Sequence, residues 1–214
     1  MAFFDELTKK AKDVAAVAAD RAKDAAEVAK GAAEVAKINM AIAGEQREID
    51  KNYRVTVLVN NAGVGYYGLH EELNPKKIQK MVRTNLEAPM ILTQQLLRTL
   101  KKNRGTVLNI SSVTAAQSNP HGCAYGATKA GLSGFAKSLF DEVRKYGVRV
   151  ITIQPDMAKT DLYRNADFCE GEEEASYLLP EEVAEAAAFA LAQREGLVVT
   201  EITVKPQFHR IRRK

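Results

Sequence analysis

Three residues that could act together on one substrate oxygen lie between Ser111 and Lys129. Ser112 precedes Tyr125 by thirteen residues, and Lys129 follows that tyrosine by four, which is one turn of a helix. A free phenol has a pKa of about 10, which is too high for proton exchange near neutral pH. A neighbouring ammonium favours the phenolate and lowers that pKa. The pattern predicts a carbonyl/alcohol redox site in which the Ser112 hydroxyl bonds the reacting oxygen.

The Tyr-x-x-x-Lys spacing alone is a weak signal, because chance pairs of this kind usually mark an exposed helix surface. Only one of the seven tyrosines, Tyr125, has a lysine four residues further on. The serine at a predicted strand end strengthens the signal. Ser111 is an alternative to Ser112, but the thirteen-residue interval favours Ser112. Cys123 is expected to line the site without reacting.

Strands and helices alternate from Arg54 onward, which predicts parallel strands in an open sheet covered by helices on both faces. The predicted strands are 55–59, 106–110, 148–154 and 197–204, and the predicted helices begin at Pro75 and span 88–102, 122–145 and 180–194. Ligands of such sheets bind beyond the carboxyl ends of the strands. Three segments just past strand ends therefore collect at one sheet edge: Asn60–Gly63, Ser111–Ser112 and Pro155–Thr160.

Composition argues against several kinds of partner. The formal net charge of +4 is accounted for by four residues near the end of the sequence, Arg210, Arg212, Arg213 and Lys214. We expect a solvated basic tail there, and no nucleic-acid or membrane partner. The cysteines and histidines are scattered, so no metal site is predicted. The sequence has no signal-peptide pattern and no apolar run long enough to cross a bilayer, which predicts a cytoplasmic protein with reduced thiols.

Residues 1–53 have a different composition, rich in alanine, lysine and acidic residues. Apolar residues recur every seven positions, from Leu7 to Ile49, beside a row of alanines. This heptad predicts a long coiled-coil-like helix that breaks at Gly44, with a second short helix over Glu45–Tyr53. A self-associating or docking helix, a loosely folded solvated helix and a membrane-surface helix are the alternatives, in that order of preference. A homo-oligomer formed through these helices is a further expectation.

The motifs after Arg54 together resemble the short-chain dehydrogenase/reductase family over residues 55–207. The matching stretches are Leu58–Gly63, Asn85 within Thr-Asn-Leu, Asn109–Ser112, Tyr125–Lys129, and Pro155 with Thr160. Residues 1–53 are faintly similar to the helical start of small bacterial zinc-ribbon proteins, although no Cys-x-x-Cys follows. The predicted domains are a helical segment, 1–53, and a family domain, 54–214.

The resemblance implies a role for each catalytic residue. Tyr125 would be the general acid/base, and Lys129 would depress its pKa and bond the nicotinamide ribose. Ser112 would orient the substrate oxygen. Asn85 would hold a water that links Lys129 to solvent.

The resemblance also implies NAD or NADP as cofactor and a small-molecule carbonyl or alcohol as substrate. Asn60, Ala62 and Gly63 would border the adenosine side of the cofactor. Tyr125 and Lys129 would contact it as well, and the turn from Pro155 to Thr160 would contact the nicotinamide carboxamide.

The sequence departs from the family pattern at two places. Asp156 stands where the family usually has glycine after the proline. Residues 1–53 contain only Gly31 and Gly44, and so lack the strand and glycine-rich turn that bring backbone N–H groups to the pyrophosphate. The resemblance therefore implies a partial Rossmann-like α/β sheet with the equivalents of family strands 4-5-6-7, preceded by the long alanine-rich helix. Strand 55–59 would become an exposed edge, which Glu45–Tyr53 could partly cover.

Two classes of function follow. The first is an NAD(P)-dependent oxidoreductase of the short-chain type, acting on CH–OH groups. The second is a catalytically impaired fusion or truncated chain that acts as a helix-mediated interaction protein. The phosphate-binding turn discriminates between them, because without one the dinucleotide affinity should fall by orders of magnitude.

Overall fold

The computed structural model describes residues 54–214 of this chain. The predictions for residues 1–53, including the heptad helix, its break at Gly44 and the domain limit at residue 53, lie outside the described residues. Two sheets are present in the described part, one of four parallel strands and one of two antiparallel strands. The strands are β1 Val57–Asn60, β2 Thr106–Ile110, β3 Arg149–Pro155, β4 Phe168–Glu170, β5 Glu201–Val204 and β6 Ile211–Arg213.

The four-stranded sheet has the order β1-β2-β3-β5 with every pair parallel, as the alternation of elements predicts. Parallel strands cannot be joined by tight turns, so helices make the crossovers. These helices are α1 Pro75–Val82, α2 Ala88–Asn103, α3 Cys123–Val143 and α4 Pro180–Leu191. The prediction of a Rossmann-like α/β fold is confirmed by this sheet and its flanking helices.

Strands β2 and β3 lie at the centre of the sheet and are almost wholly buried. Continuous apolar runs of this kind are typical of strands covered on both faces. On one face Val107 and Val150 pack with Leu100 of α2 and Leu139 of α3. On the other face Leu108, Ile151 and Ile153 pack with Ala190 of α4.

Helices α1 and α2 are joined by a π-helical segment, Arg83–Glu87. The sequence predicts two helices with a gap between them, and this segment fills the gap without breaking the helical path. Such segments contain one extra residue per turn and frequently occur at functional sites. Here the segment carries the fully buried Asn85.

The turns that feed the central strands depend on two glycines. Gly147 closes the end of α3 with φ 75°, a left-handed conformation that glycine adopts without strain. Gly105 precedes β2, and a Cβ there would lie 2.7 Å from both the Leu100 side chain and the Thr56 carbonyl oxygen. Both glycines therefore let a helix turn directly into a central strand.

The small sheet lies in two segments for which no strand is predicted. The sequence predicts a loop with broken helix over residues 160–180, and a solvated tail over residues 210–214. Residues 160–180 contain 3-10 turns and also β4. This strand pairs antiparallel with β6, which lies within residues 210–214. Three-residue strands are too short to show an alternating pattern, and their partners are distant in sequence. Only the tertiary structure brings them together.

Strand β1 is the first strand in the order of the sheet, as expected. Val57 and Val59 are 40% and 51% exposed. The expectation that Glu45–Tyr53 covers this edge lies outside the described residues. Over residues 54–214, no helix is long and apolar enough to cross a membrane.

Candidate active site

The segments that follow β1, β2 and β3 meet around one cavity of about 760 Å³, hereafter the first cavity. This is the position that an open parallel sheet offers to a ligand. The predicted residues that line it are Ala62, Gly63, Ser112, Tyr125, Lys129, Pro155 and Thr160. The structure thus brings together seven of the nine predicted site residues, while Asn60 and Asn85 lie behind the cavity wall.

Tyr125 and Lys129 lie one turn apart on α3 and are each only 4% exposed. The Lys129 ammonium lies 5.8 Å from the centre of the Tyr125 ring. It donates a hydrogen bond of 2.8 Å to the carbonyl oxygen of Ile110, at the end of β2. An ammonium has three N–H donors, so others remain for a ligand.

The two serines after β2 have different surroundings. The Ser111 hydroxyl bonds the Lys129 carbonyl oxygen at 3.1 Å and the Ser133 hydroxyl at 2.9 Å, and so ties β2 to α3. The Ser112 hydroxyl accepts hydrogen bonds from the N–H and the hydroxyl of Thr114 at 3.2 and 3.0 Å. Because the Ser112 hydroxyl also lies within hydrogen-bond reach of the Tyr125 phenol, the geometry favours Ser112.

Burial dominates the acid–base behaviour of the pair. Burial raises the pKa of Tyr125 to about 12, and a hydrogen bond with Ser112 only partly opposes this rise. Burial also lowers the pKa of Lys129 to about 8. The sequence predicts that the pKa of Tyr125 is lowered, whereas in the structure this pKa is raised. The reason is that desolvation disfavours the charged form of both groups.

Asn85 is fully buried and holds the loop after β1. Its side-chain oxygen accepts from the Val64 N–H at 2.9 Å, and its amide nitrogen donates to the Val64 carbonyl oxygen at 2.9 Å. The same nitrogen lies 3.1 Å from the hydroxyl of Thr128, the neighbour of Lys129. Asn85 therefore connects the loop after β1, the π-helical segment and α3.

The predicted cofactor residues after β1 divide into two groups. Asn60 is buried, and its amide nitrogen donates to the Asn109 side-chain oxygen at 2.8 Å, which joins the ends of β1 and β2. Ala62 and Gly63 line the first cavity. A Cβ on Gly63 would lie 3.7 Å from the Lys129 ammonium and 3.8 Å from the Asn85 side-chain oxygen. Gly63 is thus a neighbour of the predicted catalytic residues.

A smaller cavity of about 370 Å³, hereafter the second cavity, adjoins the first. Four residues line both: Ser112, Tyr125, Asp156 and Tyr163. The phenol of Tyr125 and the hydroxyl of Ser112 therefore stand between two spaces. This division was not predicted from the sequence.

An aromatic cluster of Tyr67, Tyr163 and Phe168 lies beside Tyr125. The Tyr67 ring centre is 5.6 Å from that of Tyr125, 5.9 Å from that of Tyr163 and 5.1 Å from that of Phe168. Burial raises the pKa values of Tyr67 and Tyr163, so both phenols stay neutral. The sequence reasoning missed this cluster because its members lie far apart along the chain. The tyrosine pair 66–67 was the only local signal.

Asp156, the departure from the family pattern, is placed at the end of β3, where both cavities meet. Its carboxylate accepts the Met157 N–H at 2.9 Å and lies 3.5 Å from Nδ1 of His209. The carboxylate thus has partners within the protein. Across residues 54–214, no group of three or more metal-ligating side chains is clustered.

The parallel sheet, with its candidate side chains collected beyond the strand ends, defines a Rossmann-like α/β protein. The chain belongs to the short-chain dehydrogenase family, because the family model described as short chain dehydrogenase matches residues 2–168. That range begins upstream of the quoted motifs and ends at the first residue of β4.

Individual relatives agree with this assignment. The 3-oxoacyl-(acyl-carrier-protein) reductase FabG of Rickettsia conorii is 34% identical over 176 residues, covering 78% of this chain and 72% of that protein. Among solved structures, an alcohol dehydrogenase from Thermococcus sibiricus complexed with 5-hydroxy-NADP has a TM-score of 0.71 at 25% identity. That likeness covers 80% of this chain and 72% of the other.

A 3-ketoacyl-(acyl-carrier-protein) reductase from Brucella melitensis complexed with NADH gives a TM-score of 0.65 at 26% identity. The alignment covers 73% of this chain and 68% of that one. The resemblance to the family that the sequence motifs predict is thereby confirmed.

Proposed function

We propose that this protein is an NAD(P)-dependent oxidoreductase that transfers a hydride between the nicotinamide and a carbonyl or alcohol substrate. One observation carries the proposal: Ser112 and Tyr125 line both the first and the second cavity. A cofactor in the first cavity and a substrate in the second would then meet at these two hydroxyls.

The residues of the first cavity fit the nicotinamide half of a dinucleotide. Lys129 offers a buried ammonium with unused donors, and Gly63 lets the backbone lie beside it. Pro155 and Thr160 line the same space and would contact the carboxamide. When bound, the nicotinamide supplies or accepts the hydride. The choice between NAD and NADP stays open, since one neighbouring structure contains 5-hydroxy-NADP and another contains NADH.

In the reduction direction, Tyr125 donates its proton to the substrate oxygen as the carbonyl becomes an alcohol. Its pKa of about 12 keeps it protonated at neutral pH but makes it a weak acid, so efficient donation requires that a nearby positive charge lower this pKa. Ser112 donates a hydrogen bond to the same oxygen and holds it at the phenol. In the oxidation direction Tyr125 accepts the proton, which its raised pKa disfavours until a positive charge lies nearby.

Lys129 and Asn85 assist Tyr125 without donating the proton themselves. The Lys129 ammonium would favour the phenolate and so lower the tyrosine pKa, and it would bond the ribose hydroxyls. Asn85 fixes the loop at Val64 and the neighbouring turn of α3, so the two cavity walls keep their spacing. A water held near Asn85 would link Lys129 to solvent.

Cofactor titration tests the proposal. Reduced nicotinamide mononucleotide, NADH and NADPH are titrated into the full chain and followed by nicotinamide fluorescence. We expect the mononucleotide to bind, and the dinucleotides to bind less than about tenfold more tightly, because no glycine-rich turn in residues 1–53 cradles a pyrophosphate. A lack of binding by all three at millimolar concentration would contradict the proposal.

A further inference from the structure

Residues 208–214, hereafter the rim segment, form one rim of the second cavity. The segment is attached at several points: the Phe208 N–H donates to the Ala175 carbonyl oxygen at 3.0 Å, and the Gly171 N–H donates to that of Arg210 at 3.1 Å. At its end, the Lys214 N–H donates to the Asp167 carbonyl oxygen at 2.8 Å. The Lys214 ammonium bonds the Tyr163 carbonyl oxygen at 2.6 Å. The rim segment is therefore held in place beside the aromatic cluster.

Alternate residues of the rim segment face opposite ways, as in a strand. His209, Ile211 and Arg213 line the second cavity. Arg210 and Arg212 do not line it, and they form ion pairs with Glu173 and Glu172 respectively. Two of the three arginines thus anchor the segment to the acidic loop, and the third faces the cavity.

Among the charged residues that line the second cavity, Arg213 is the cation available to bind a ligand. The Asp156 carboxylate already has the Met157 N–H and His209 as partners. Asp167 is exposed and lines the same cavity, without an ion pair to Arg213. Within residues 54–214, no ion pair or hydrogen bond involves the Arg213 guanidinium. A guanidinium presents a planar set of donors that matches a carboxylate.

We propose that Arg213 determines substrate specificity by binding a carboxylate of the substrate, so that the substrate class is a short oxo acid or the matching hydroxy acid. The reacting oxygen lies at Ser112 and Tyr125, and the aromatic cluster holds the apolar carbons between the two ends. A cavity of about 370 Å³ suits a molecule of this size. This inference rests on the proposed function for the reaction, but the carboxylate contact can be measured without it.

Arg213→Gln and Arg212→Gln form a matched pair on one strand, since the first faces the cavity and the second faces Glu172. The probes are 4-oxopentanoate and its methyl ester, which differ in the carboxylate charge. We expect Arg213→Gln to lower kcat/KM for the acid at least tenfold and to change that for the ester less than threefold. Arg212→Gln should change both less than threefold.

Calorimetric titration of 4-oxopentanoate into the full chain without cofactor separates this inference from the proposed function. Tighter binding of the acid than of the ester, weakened at least tenfold by Arg213→Gln, supports it even if no hydride is transferred. Arg213→Lys, which keeps the charge but not the planar donor set, should give intermediate affinity. Equal loss for acid and ester, equal loss in both glutamine variants, or no binding of the acid overturns the inference.

Discussion

At the residue scale, burial governs the acid–base behaviour of two side chains on α3. Tyr125 and Lys129 are both nearly fully buried. Desolvation raises the pKa of Tyr125 and lowers that of Lys129. The protein alone therefore holds a neutral phenol, which is a weaker acid than a free tyrosine, beside an ammonium that loses its proton more readily than a free lysine does.

Tyr125→Phe removes only the phenolic oxygen and should lower kcat by at least about 100-fold, since general acid catalysis typically contributes that much or more. Tyr67→Phe is the control, because its ring centre lies 5.6 Å from that of Tyr125 while the proposed chemistry does not use its hydroxyl. Steady-state rates with a carbonyl substrate and NADH or NADPH measure both variants. Similar losses in the two would contradict the role of Tyr125.

The buried Lys129 should make the free energy of unfolding increase with pH between about 8 and 10.5. Between pH about 8 and 10.5, the lysine is protonated in the unfolded chain and neutral in the folded one. Because the unfolded state then binds more protons, the free energy of unfolding increases with pH. The shift sets an upper limit of about 3 kcal/mol. Above pH 10 the raised pKa of Tyr125 acts in the opposite direction, because the unfolded chain loses its phenol proton first.

Urea unfolding of Lys129→Met at pH 7 to 10 tests this linkage. The variant lacks the titrating group, so its free energy of unfolding should rise less over this range than that of the wild type. Lys137→Met is the control, since that lysine is 65% exposed in its side chain and pairs with Glu201 at the surface. If Lys129→Met keeps the wild-type pH dependence, the buried lysine is not its source.

At the element scale, the π-helical segment and the small sheet shape the site. The π-helical segment turns Asn85 into the interior, where it bonds both backbone groups of Val64. The small sheet brings Phe168 and the rim segment to the second cavity. Each of these elements joins parts of the chain that lie far apart in sequence.

Asn85→Ala should cost about 2–4 kcal/mol of stability, because it removes a fully buried side chain and leaves the half-buried backbone groups of Val64 without partners. Asn74→Ala is the control: Asn74 is an exposed cap of α1 whose side chain accepts the Lys76 N–H, and its loss should cost about 1 kcal/mol. Equilibrium unfolding in urea gives both values. Equal costs would show that Asn85 has no special role in joining the cavity walls.

At the scale of the whole molecule, the described sheet has an apolar edge strand, β1. Exposed apolar edges favour pairing between molecules, and charged residues on them suppress it. Val57 is 40% exposed and does not line the first cavity, so a charge there should not disturb the site. Leu58, in contrast, packs against the core of the sheet.

Val57→Lys should slow aggregation on heating, measured by light scattering, and change the free energy of unfolding by less than about 0.5 kcal/mol. Leu58→Lys should destabilise the protein by at least about 2 kcal/mol, since it places a charge in the core. If Val57→Lys destabilises the protein as strongly as Leu58→Lys, the edge strand is covered in solution. The sequence analysis predicts that Glu45–Tyr53 provides this cover.

Local sequence patterns determined much of the fold and the candidate site. The β-branched runs predict β2 and β3 almost to the residue, because a buried parallel strand needs a continuous apolar run. Pro75 and Pro180 mark helix starts because proline suits the first helical turn. The spacing of Ser112, Tyr125 and Lys129 predicts one cavity, because strand ends and helix turns have fixed geometry.

Only the tertiary structure decided what depends on contacts between distant residues. The direction of the Tyr125 pKa shift follows from burial, which the Tyr-x-x-x-Lys spacing does not reveal. The pairing of β4 with β6 joins segments too short to show a period. That pairing also brings Arg213 beside Phe168 of the aromatic cluster, and Tyr67 joins the cluster from a distant part of the chain. The catalytic motif could be predicted from the sequence, whereas the residues that line the second cavity could be identified only in the folded chain.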